Sequence, residues 1–329
     1  MRRRELLMLL AGAATWPLAS PRTAIAQTGK IYRLGTLSAG PPIVATAGPG
    51  AILINGLMQR GYALGKNLAY EARGAAGKPA QLPQLMQELK AANVDVVVTV
   101  GYPAVAAAKA SGIATVIASG SGDPVATGLV DSLSRPGGNV TGIADDASML
   151  STKRLSLLKA TAPQLRKVAM LWNKDDLGMS LRYQASAKAA EELGVTVQAL
   201  GVREPDDFNE AFAAMDREKP DAILMVSDSL TILNRKRVID YAAQHQLPAI
   251  YEADTIVRDG GLMSYGADPR ESYDRAADLA VRIFKGEKPA NLPVEQPTRY
   301  LFVINLKTAK AMNLSVPNTV VALADEVIE

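Results

Sequence analysis

Paired carboxylates are the residues of this sequence whose types and spacing come closest to a catalytic or metal site. Asp145-Asp146 and Asp175-Asp176 could act as a general acid and base or bind a divalent cation. Adjacent side chains usually point in different directions, which argues against both roles. The chain has no Cys, so a thiol nucleophile is excluded, and the solitary His245 disfavours a His-based triad or a Cys/His zinc site. We therefore predict no catalytic residue, no metal ion and no cofactor.

Motifs for nucleotide or hydrolase chemistry are missing as well. The sequence contains no G-x-S-x-G, no P-loop and no H-E-x-x-H, and Gly48-Pro49-Gly50 lacks the third glycine of the dinucleotide fingerprint. A formal charge of +3 over 329 residues, without a basic stripe interleaved with aromatics, argues against nucleic acid as a partner.

Polar side chains follow the short β-branched runs that we predict to be strands. In open parallel sheets, ligands bind beyond the carboxyl ends of the strands. Three tyrosines lie there, and a tyrosine ring can pack against an apolar ligand and still donate a hydrogen bond. The residues predicted to contact a ligand are Ser38, Tyr102, Pro103, Ala104, Ser119, Gly120, Asp123, Asn173, Asp228, Tyr251, Glu252 and Tyr265.

Several of these positions also have a purely structural interpretation. Pro103 near a helix start is common in any protein, although the free N–H groups of that first turn would suit a ligand carboxylate. Asp123 could simply shape a turn, and Asp228 could cap the helix that follows it. Both interpretations are open on the sequence alone.

The elements that must position these residues form two similar blocks, residues 31–119 and 168–252, each with the order β-α-β-α-β-α-β. The run Val94–Val100 is apolar on both faces except at Asp95 and Thr99, as in a central parallel strand covered by helices. A Pro/Gly-rich stretch, Arg135–Asn139, separates the blocks and favours two sheets over one large sheet. The predicted strands are Ile31–Leu37, Leu68–Arg73, Val94–Val100, Ala114–Ser119, Val168–Trp172, Val195–Leu200, Ala222–Val226, Pro248–Tyr251, Leu262–Tyr265 and Tyr300–Ile304.

A tail that returns after the second block implies several crossings between two lobes, and several crossings make a hinge. We predict an α/β protein with two doubly wound parallel-sheet lobes joined by a multi-crossover hinge near Asp145 and Ala267. Lobe I would comprise residues 27–145 and 267–290, and lobe II residues 146–266 and 297–329.

The first 26 residues are predicted to be an export signal. Arg2-Arg3-Arg4 form a basic region, Leu6–Ala14 a short apolar run, and Ala24-Ile25-Ala26 an A-x-A cleavage site. The tandem arginines are compatible with twin-arginine or Sec export, and the apolar run is shorter than the about 20 residues that span a bilayer. These residues carry the whole net charge, since the remainder has 32 basic and 32 acidic residues. We expect a soluble periplasmic protein after cleavage.

Nine segments match the motifs of one known family: Gly122–Val125, Gly128–Val130, Leu133–Gly142, Lys153–Leu155, Leu171–Asn173, Gly260–Gly266, Leu292–Thr298, Val303–Ala309 and Ala324–Ile328. In these segments the chain resembles the ABC-transporter substrate-binding proteins of the tryptophan/tyrosine-binding type, which have a type I periplasmic binding fold. The resemblance implies a protein that captures a small molecule, an aromatic amino acid or a related small carboxylate, and delivers it to the membrane subunits of an ABC permease. We also predict that it is a monomer.

Three stretches depart from the family pattern, Ser38–Pro42, Asp228–Leu230 and Glu252–Thr255, and all lie at the predicted cleft. The fold therefore transfers better than the ligand. We expect the helix N-termini near Tyr102 and Ser119 to hold the ligand carboxylate. Lobe II would contact its other end as the lobes close, through Asn173, Asp228, Tyr251 and Glu252. Glu252 or Asp228 would pair with the amino group of an amino acid. Two alternatives are open: a sensor module that presents its ligand to a receptor, and an enzyme that uses a carboxylate pair in the cleft.

Overall fold

Two β-sheets flanked by helices organise residues 30–329, the part of the chain that this computed structural model describes. The predicted export signal, residues 1–26, lies outside the described residues. The strands are β1 Tyr32–Ser38, β2 Leu68–Gly74, β3 Val96–Val100, β4 Thr115–Ser119, β5 Val140–Gly142, β6 Lys167–Asn173, β7 Thr196–Val202, β8 Ala222–Met225, β9 Ala249–Tyr251, β10 Met263–Ala267, β11 Tyr300–Asn305 and β12 Glu326–Ile328. The helices are α1 Gly48–Gln59, α2 Leu82–Ala91, α3 Tyr102–Ser111, α4 Ala147–Thr161, α5 Leu177–Glu192, α6 Asp207–Glu218, α7 Ser229–Leu233, α8 Arg235–Gln244, α9 Asp254–Arg258, α10 Pro269–Phe284, α11 Leu306–Ala311 and α12 Asn318–Val321.

The first sheet has the order β2-β1-β3-β4-β5, and all its strands are parallel. Helices α1 and α10 cover one face and α2 and α3 the other, so the central strand β3 is apolar on both sides, as its sequence predicts. Val96, Val97 and Val98 of this strand are fully buried. This sheet with its helices is lobe I.

The second sheet has the order β12-β11-β10-β9-β8-β6-β7 and forms lobe II. Its core strands are parallel, but β11 runs antiparallel to β10, and Tyr300 at the start of β11 pairs with Ala267 at the end of β10. The reason is the path of the chain, which leaves lobe II after Ala267, forms α10 on lobe I and returns at the same sheet edge. The last two strands therefore depart from the fully parallel sheet expected from the sequence.

Three chain segments connect the lobes, and both lobes belong to one unit, Ile31–Glu329. The crossings follow β5, follow β10 and precede β11, and hydrogen bonds tie them together. Ala144 N donates to Glu295 O (2.9 Å), and Asp268 N donates to Arg299 O (3.0 Å). The multi-crossover connection is thus as predicted, whereas the lobe boundaries and hinge residues stay predictions.

One glycine at the end of lobe I's sheet has no room for a side chain. Gly142 on β5 has a φ of +141°, and a Cβ there would overlap the backbone N and O of Ile117 on β4. Because that neighbour is backbone, the clash cannot be relieved by a rotamer change.

We therefore expect Gly142→Ala to destabilise the protein by about 1–3 kcal/mol, the usual range for overpacking. Urea denaturation followed by circular dichroism measures the change. Gly138→Ala is the matched control, because no atom lies within 4 Å of the Cβ it would add. Equal unfolding free energies for the two variants would contradict this account of the close packing between β4 and β5.

Candidate functional site

A cavity of about 580 Å³ lies between the lobes, at the carboxyl ends of the parallel strands. Its volume is within the range of small-molecule sites. Lobe I contributes the ends of β1, β3 and β4 and the first turns of α1 and α10, whereas lobe II contributes α4, α5 and α7 and the ends of β8 and β9. A ligand in this cavity would contact both lobes.

Half of the predicted ligand contacts line this cavity, namely Ser38, Pro103, Ser119, Gly120, Asp228 and Glu252. They come together because parallel strands end at the same sheet edge and the two edges face each other. The structure does not place the other six on the cavity wall: Tyr102, Ala104, Asp123, Asn173, Tyr251 and Tyr265. That any of the twelve contacts a ligand stays a prediction.

The expected ring of tyrosines is not present at the cavity. Tyr251 is fully buried in the lobe II core, because side chains alternate along β9 and its neighbour Glu252 is the one that faces the cavity. The Tyr265 ring stacks on Tyr300 with 6.0 Å between centroids. Tyr102 packs against the apolar cluster beneath α3. The only aromatic side chain on the wall, among the described residues, is Tyr273 of α10, which is not among the predicted contacts.

Three other predicted contacts have structural roles. Ala104 is buried on the face of α3 that packs into the lobe I core. Asp123 shapes a turn, because its Oδ1 accepts hydrogen bonds from Val125 N (2.9 Å) and Ala126 N (3.0 Å). Asn173 lies behind the wall, and its Nδ2 donates to Asp228 Oδ2 (2.6 Å).

The first turn of α3 offers no free N–H group. Tyr102 N donates to Gly120 O (3.1 Å), Ala104 N donates to Gly101 O (3.2 Å), and Pro103 has no N–H. The carboxylate expected at this helix N-terminus therefore has no donor there. Helix N-termini bind anions only where their N–H groups are unused.

Four charged residues form a buried network on the lobe II side of the cavity. Arg154 Nη1 donates to Glu252 Oε1 (2.7 Å), and Arg154 Nε donates to the carbonyl of Tyr265 (2.7 Å). Arg182 places Nη2 2.6 Å and Nη1 3.1 Å from the two carboxylate oxygens of Asp145, and Nη1 3.5 Å from Glu252 Oε1. Both arginines have about 2% exposed side chains.

Each charged group in this network stabilises the ionised form of its partner. Burial alone would raise the pKa of Asp145, but the adjacent guanidinium of Arg182 holds it below its usual value. Burial lowers the pKa of Arg154, whereas Asp145 and Glu252 outweigh burial at Arg182 and raise its pKa. The network therefore contains two positive and two negative charges and is balanced without a ligand.

Sequence reasoning missed both arginines, although a signal existed. Arg154 is spaced with Leu150 and Leu158 at intervals of four, so a charged residue lies in the apolar stripe of α4. Arg182 occupies the equivalent place in α5, between Met179 and Ser186. A long cation in a buried helical stripe indicates a buried partner, because an unpaired charge there is strongly unfavourable.

Two further carboxylates face the cavity, and each caps a helix. Asp176 Oδ1 accepts from Met179 N (3.1 Å) at the start of α5. Asp228 Oδ1 accepts from Thr231 N (2.8 Å), and Thr231 Oγ1 accepts from Asp228 N (2.9 Å), which completes a capping box on α7. Asp228 is thus both a cap and a wall residue. Burial, together with the nearby charge of Asp228, raises the pKa of Asp176 to about 7.

Glycines bring the two lobes into contact beside the cavity. A Cβ on Gly178 of α5 would lie 2.7 Å from Ser121 O, and a Cβ on Gly122 would lie 2.7 Å from the Cα of Gly178. Gly122 and Ser121 follow β4 of lobe I, so these contacts join opposite lobes. Neither glycine lines the cavity.

Residues 30–329 contain no cluster of three or more His, Asp or Glu side chains arranged to hold a metal ion. Within the same range, none of the helices has the length and apolar character needed to cross a membrane.

The raised pKa of Asp176 predicts a pH-dependent stability difference between the wild type and Asp176→Asn, which keeps an acceptor for the cap. Below about pH 4 the carboxyl is protonated in both the folded and the unfolded state. As the pH rises towards 7, the unfolded state ionises first, so the wild type loses stability relative to the variant by on the order of 4 kcal/mol. Urea denaturation between pH 4 and pH 8 measures this, and a difference that is independent of pH would refute it.

Known proteins share this architecture. A family model described as ABC transporter substrate binding protein matches residues 49–328. A tyrosine-binding protein from Clostridioides difficile is 25% identical over 262 residues, which cover 79% of this chain and 75% of that protein. A conserved domain protein from Vibrio cholerae superposes with a TM-score of 0.84 at 26% identity, over 91% of this chain and all of that one.

A fourth comparison concerns a Streptococcus pneumoniae protein solved as an ABC domain in complex with L-Trp. It superposes with a TM-score of 0.82 at 24% identity, over 90% of this chain and 99% of that chain. The two-lobed architecture and the family motifs lead to the same assignment, and the chain belongs to the ABC transporter substrate binding protein family.

Proposed function

We propose that this protein is the periplasmic binding component of an ABC importer. It captures a small carboxylate, an aromatic amino acid or a related compound, and delivers it to a membrane permease without converting it. The observation that carries this proposal is the cavity between the lobes, because a ligand there is held by strand ends of both lobes at once. Contacts that need both lobes favour the closed arrangement, and a permease can recognise that shape.

The wall chemistry supports an amphiphilic ligand. Lobe II presents the charged residues, whereas lobe I presents mainly apolar side chains and hydroxyl groups, such as Ile52, Pro103 and Ser119. The relative from C. difficile is named for binding tyrosine, which makes L-tyrosine the first compound to test. L-tryptophan, the ligand of the pneumococcal structure, is the second.

Location and charge are consistent with this role. With residues 1–26 removed by export, the chain has as many acidic as basic residues, so attraction of a charged ligand depends on local groups in the cavity. We propose that the exported protein acts as a monomer in the periplasm.

Filling the cavity should abolish binding. We expect Ile52→Trp to weaken binding of L-tyrosine at least 10-fold, because Ile52 lines the cavity from α1 and the indole would occupy ligand space. Met58→Trp is the matched control on the same helix, since Met58 is 55% exposed and lies outside the cavity. Isothermal titration measures affinity, and uptake of labelled ligand by cells that carry each variant measures transport.

The proposal fails if the wild type binds and imports none of the candidate ligands. Conversion of the bound compound, detected by mass spectrometry, would show an enzyme instead. Binding without any effect on uptake would favour a sensor over a transport component.

Separating the lobes should weaken binding without altering the cavity. We expect Gly178→Ala to lower the affinity for L-tyrosine several-fold, because its Cβ would meet Ser121 O of the opposite lobe and prevent full closure. Small-angle scattering with ligand should give a larger radius of gyration than for the wild type. Gly138→Ala, whose Cβ has no close neighbour, should match the wild type in both measurements. Unchanged affinity and radius in Gly178→Ala would contradict the role assigned to this contact.

A further inference from the structure

Charge is distributed unequally between the two walls of the cavity. Lobe I contributes serines, prolines, glycines and apolar side chains, together with Arg270, which pairs with Asp268 of a crossing segment (Nε to Oδ1, 3.0 Å). Lobe II contributes both buried arginines and most of the carboxylates. Any charged group of a ligand would therefore find its partner on lobe II.

Two carboxylates on this wall have no cationic partner. The buried arginines pair with Asp145 and Glu252, and Arg258 pairs with Asp254. No ion pair within the described part of the chain reaches Asp176 or Asp228, which are 2% and 9% exposed. A buried carboxylate without a cation is unfavourable, so this place on the wall suits an ammonium group.

One arginine on the same wall has a donor to spare. Arg154 is 1% exposed and uses Nε and Nη1 on Tyr265 O and Glu252, but its Nη2 has no hydrogen-bond partner among residues 30–329. Arg182 differs, because both its Nη atoms contact Asp145, and its Nε, which has no hydrogen-bond partner among residues 30–329, is buried away from the cavity. A guanidinium held in place with one donor open towards a cavity suits a carboxylate.

Arg154 and Asp228 both adjoin Glu252. Glu252 connects them, since its Oε1 accepts from Arg154 Nη1 (2.7 Å) and its Oε2 accepts from the N–H of Ser227 (3.3 Å), the residue before Asp228. Arg154 and Asp228 thus both lie beside Glu252 on the same wall of the cavity. The ammonium and carboxylate of an α-amino acid are attached to one carbon atom, so they too need partners on one part of a wall.

We propose that lobe II alone recognises both charges of an α-amino acid, with Arg154 binding the carboxylate and Asp176 and Asp228 binding the ammonium. The proposal rests on the function proposed above and reverses the expected arrangement, in which lobe I would hold the carboxylate. The side chain of the amino acid then faces Ile52 and Pro103 of lobe I. Lobe II selects the head group, and lobe I selects the side chain as it closes.

The test combines three probes with three variants. L-tyrosine has both charges, tyramine lacks the carboxylate, and 3-(4-hydroxyphenyl)propionate lacks the ammonium. We expect the wild type to bind L-tyrosine at least about 10-fold more tightly than either analogue, since each lost charged hydrogen bond costs about one to two orders of magnitude in affinity. Asp228→Asn and Asp176→Asn should each lower the affinity for L-tyrosine about 10-fold or more. The affinity for the propionate should stay within about twofold of the wild-type value.

The asparagine variants keep a cap acceptor, so both helices retain their first turn, and either variant alone suffices for the test. Asp240→Asn is the control for charge, because Asp240 is exposed on α8, outside the cavity, and pairs with Lys236. It should bind all probes as the wild type does.

The outcomes separate the two proposals. Suppose that the wild type binds L-tyrosine. If both variants weaken the binding of L-tyrosine and of the propionate equally, or change the binding of neither, the head-group assignment is wrong and the binding function stands. If the wild type binds neither L-tyrosine nor L-tryptophan, the proposed ligand class fails and the head-group assignment fails with it.

Discussion

The structure around the cavity depends on the need to compensate two buried guanidinium groups. Arg154 and Arg182 come from neighbouring helices, and leaving either unpaired would cost about 3–5 kcal/mol. Their partners come from different places, Asp145 from a crossing between the lobes and Glu252 from the end of β9. The ion pairs therefore fix α4 and α5 relative to the sheet edge, and the hydrogen bond between Ser151 and Ser186 (2.8 Å) joins the same helices further along.

In this arrangement the lobe II wall of the cavity is fixed by ion pairs, whereas the contacts between the two lobes are weaker. The ion pairs lie within lobe II and its first crossing, so they do not need to break when the lobes move apart. The contacts made across the cavity are of a different kind: glycine backbone at Gly122 and Gly178, and Leu233 of α7, whose Cδ1 would lie 2.9 Å from a Cβ on Gly77. Contacts of small groups are weak and non-directional, so they limit how far the lobes close without holding them together.

Hydrophobic patterning predicted most of the fold, because buried parallel strands and amphipathic helices have strong periodic signals. Strands β5 and β12, of three residues each, were not predicted, since neither forms an apolar run like the one that marks the equally short β9. The antiparallel direction of β11 depends on where the chain returns from lobe I, which local sequence does not encode. At the site, the rule that ligands bind at strand ends correctly predicted that Asp228 and Glu252 line the cavity. It failed for Tyr251, because side chains alternate along β9 and this one points into the core. Neither Arg154 nor Arg182 was predicted, because the periodicity of apolar residues alone does not indicate a charged residue on the buried face of a helix.

The separation of charge and apolar surface between the lobes has a consequence for selectivity. A buried polar group that loses its partner can reject a ligand by several orders of magnitude, whereas a missing methylene group in an apolar wall changes affinity by only about 10- to 200-fold. Under the head-group proposal, the buried carboxylates that have no cationic partner would therefore make a strict demand on the ligand's charged groups. The opposite wall, made of Ile52, prolines and hydroxyls, makes a graded demand on size and shape. Substitutions on lobe I should thus shift preference among ligands of one chemical class, and substitutions on lobe II should change the class itself.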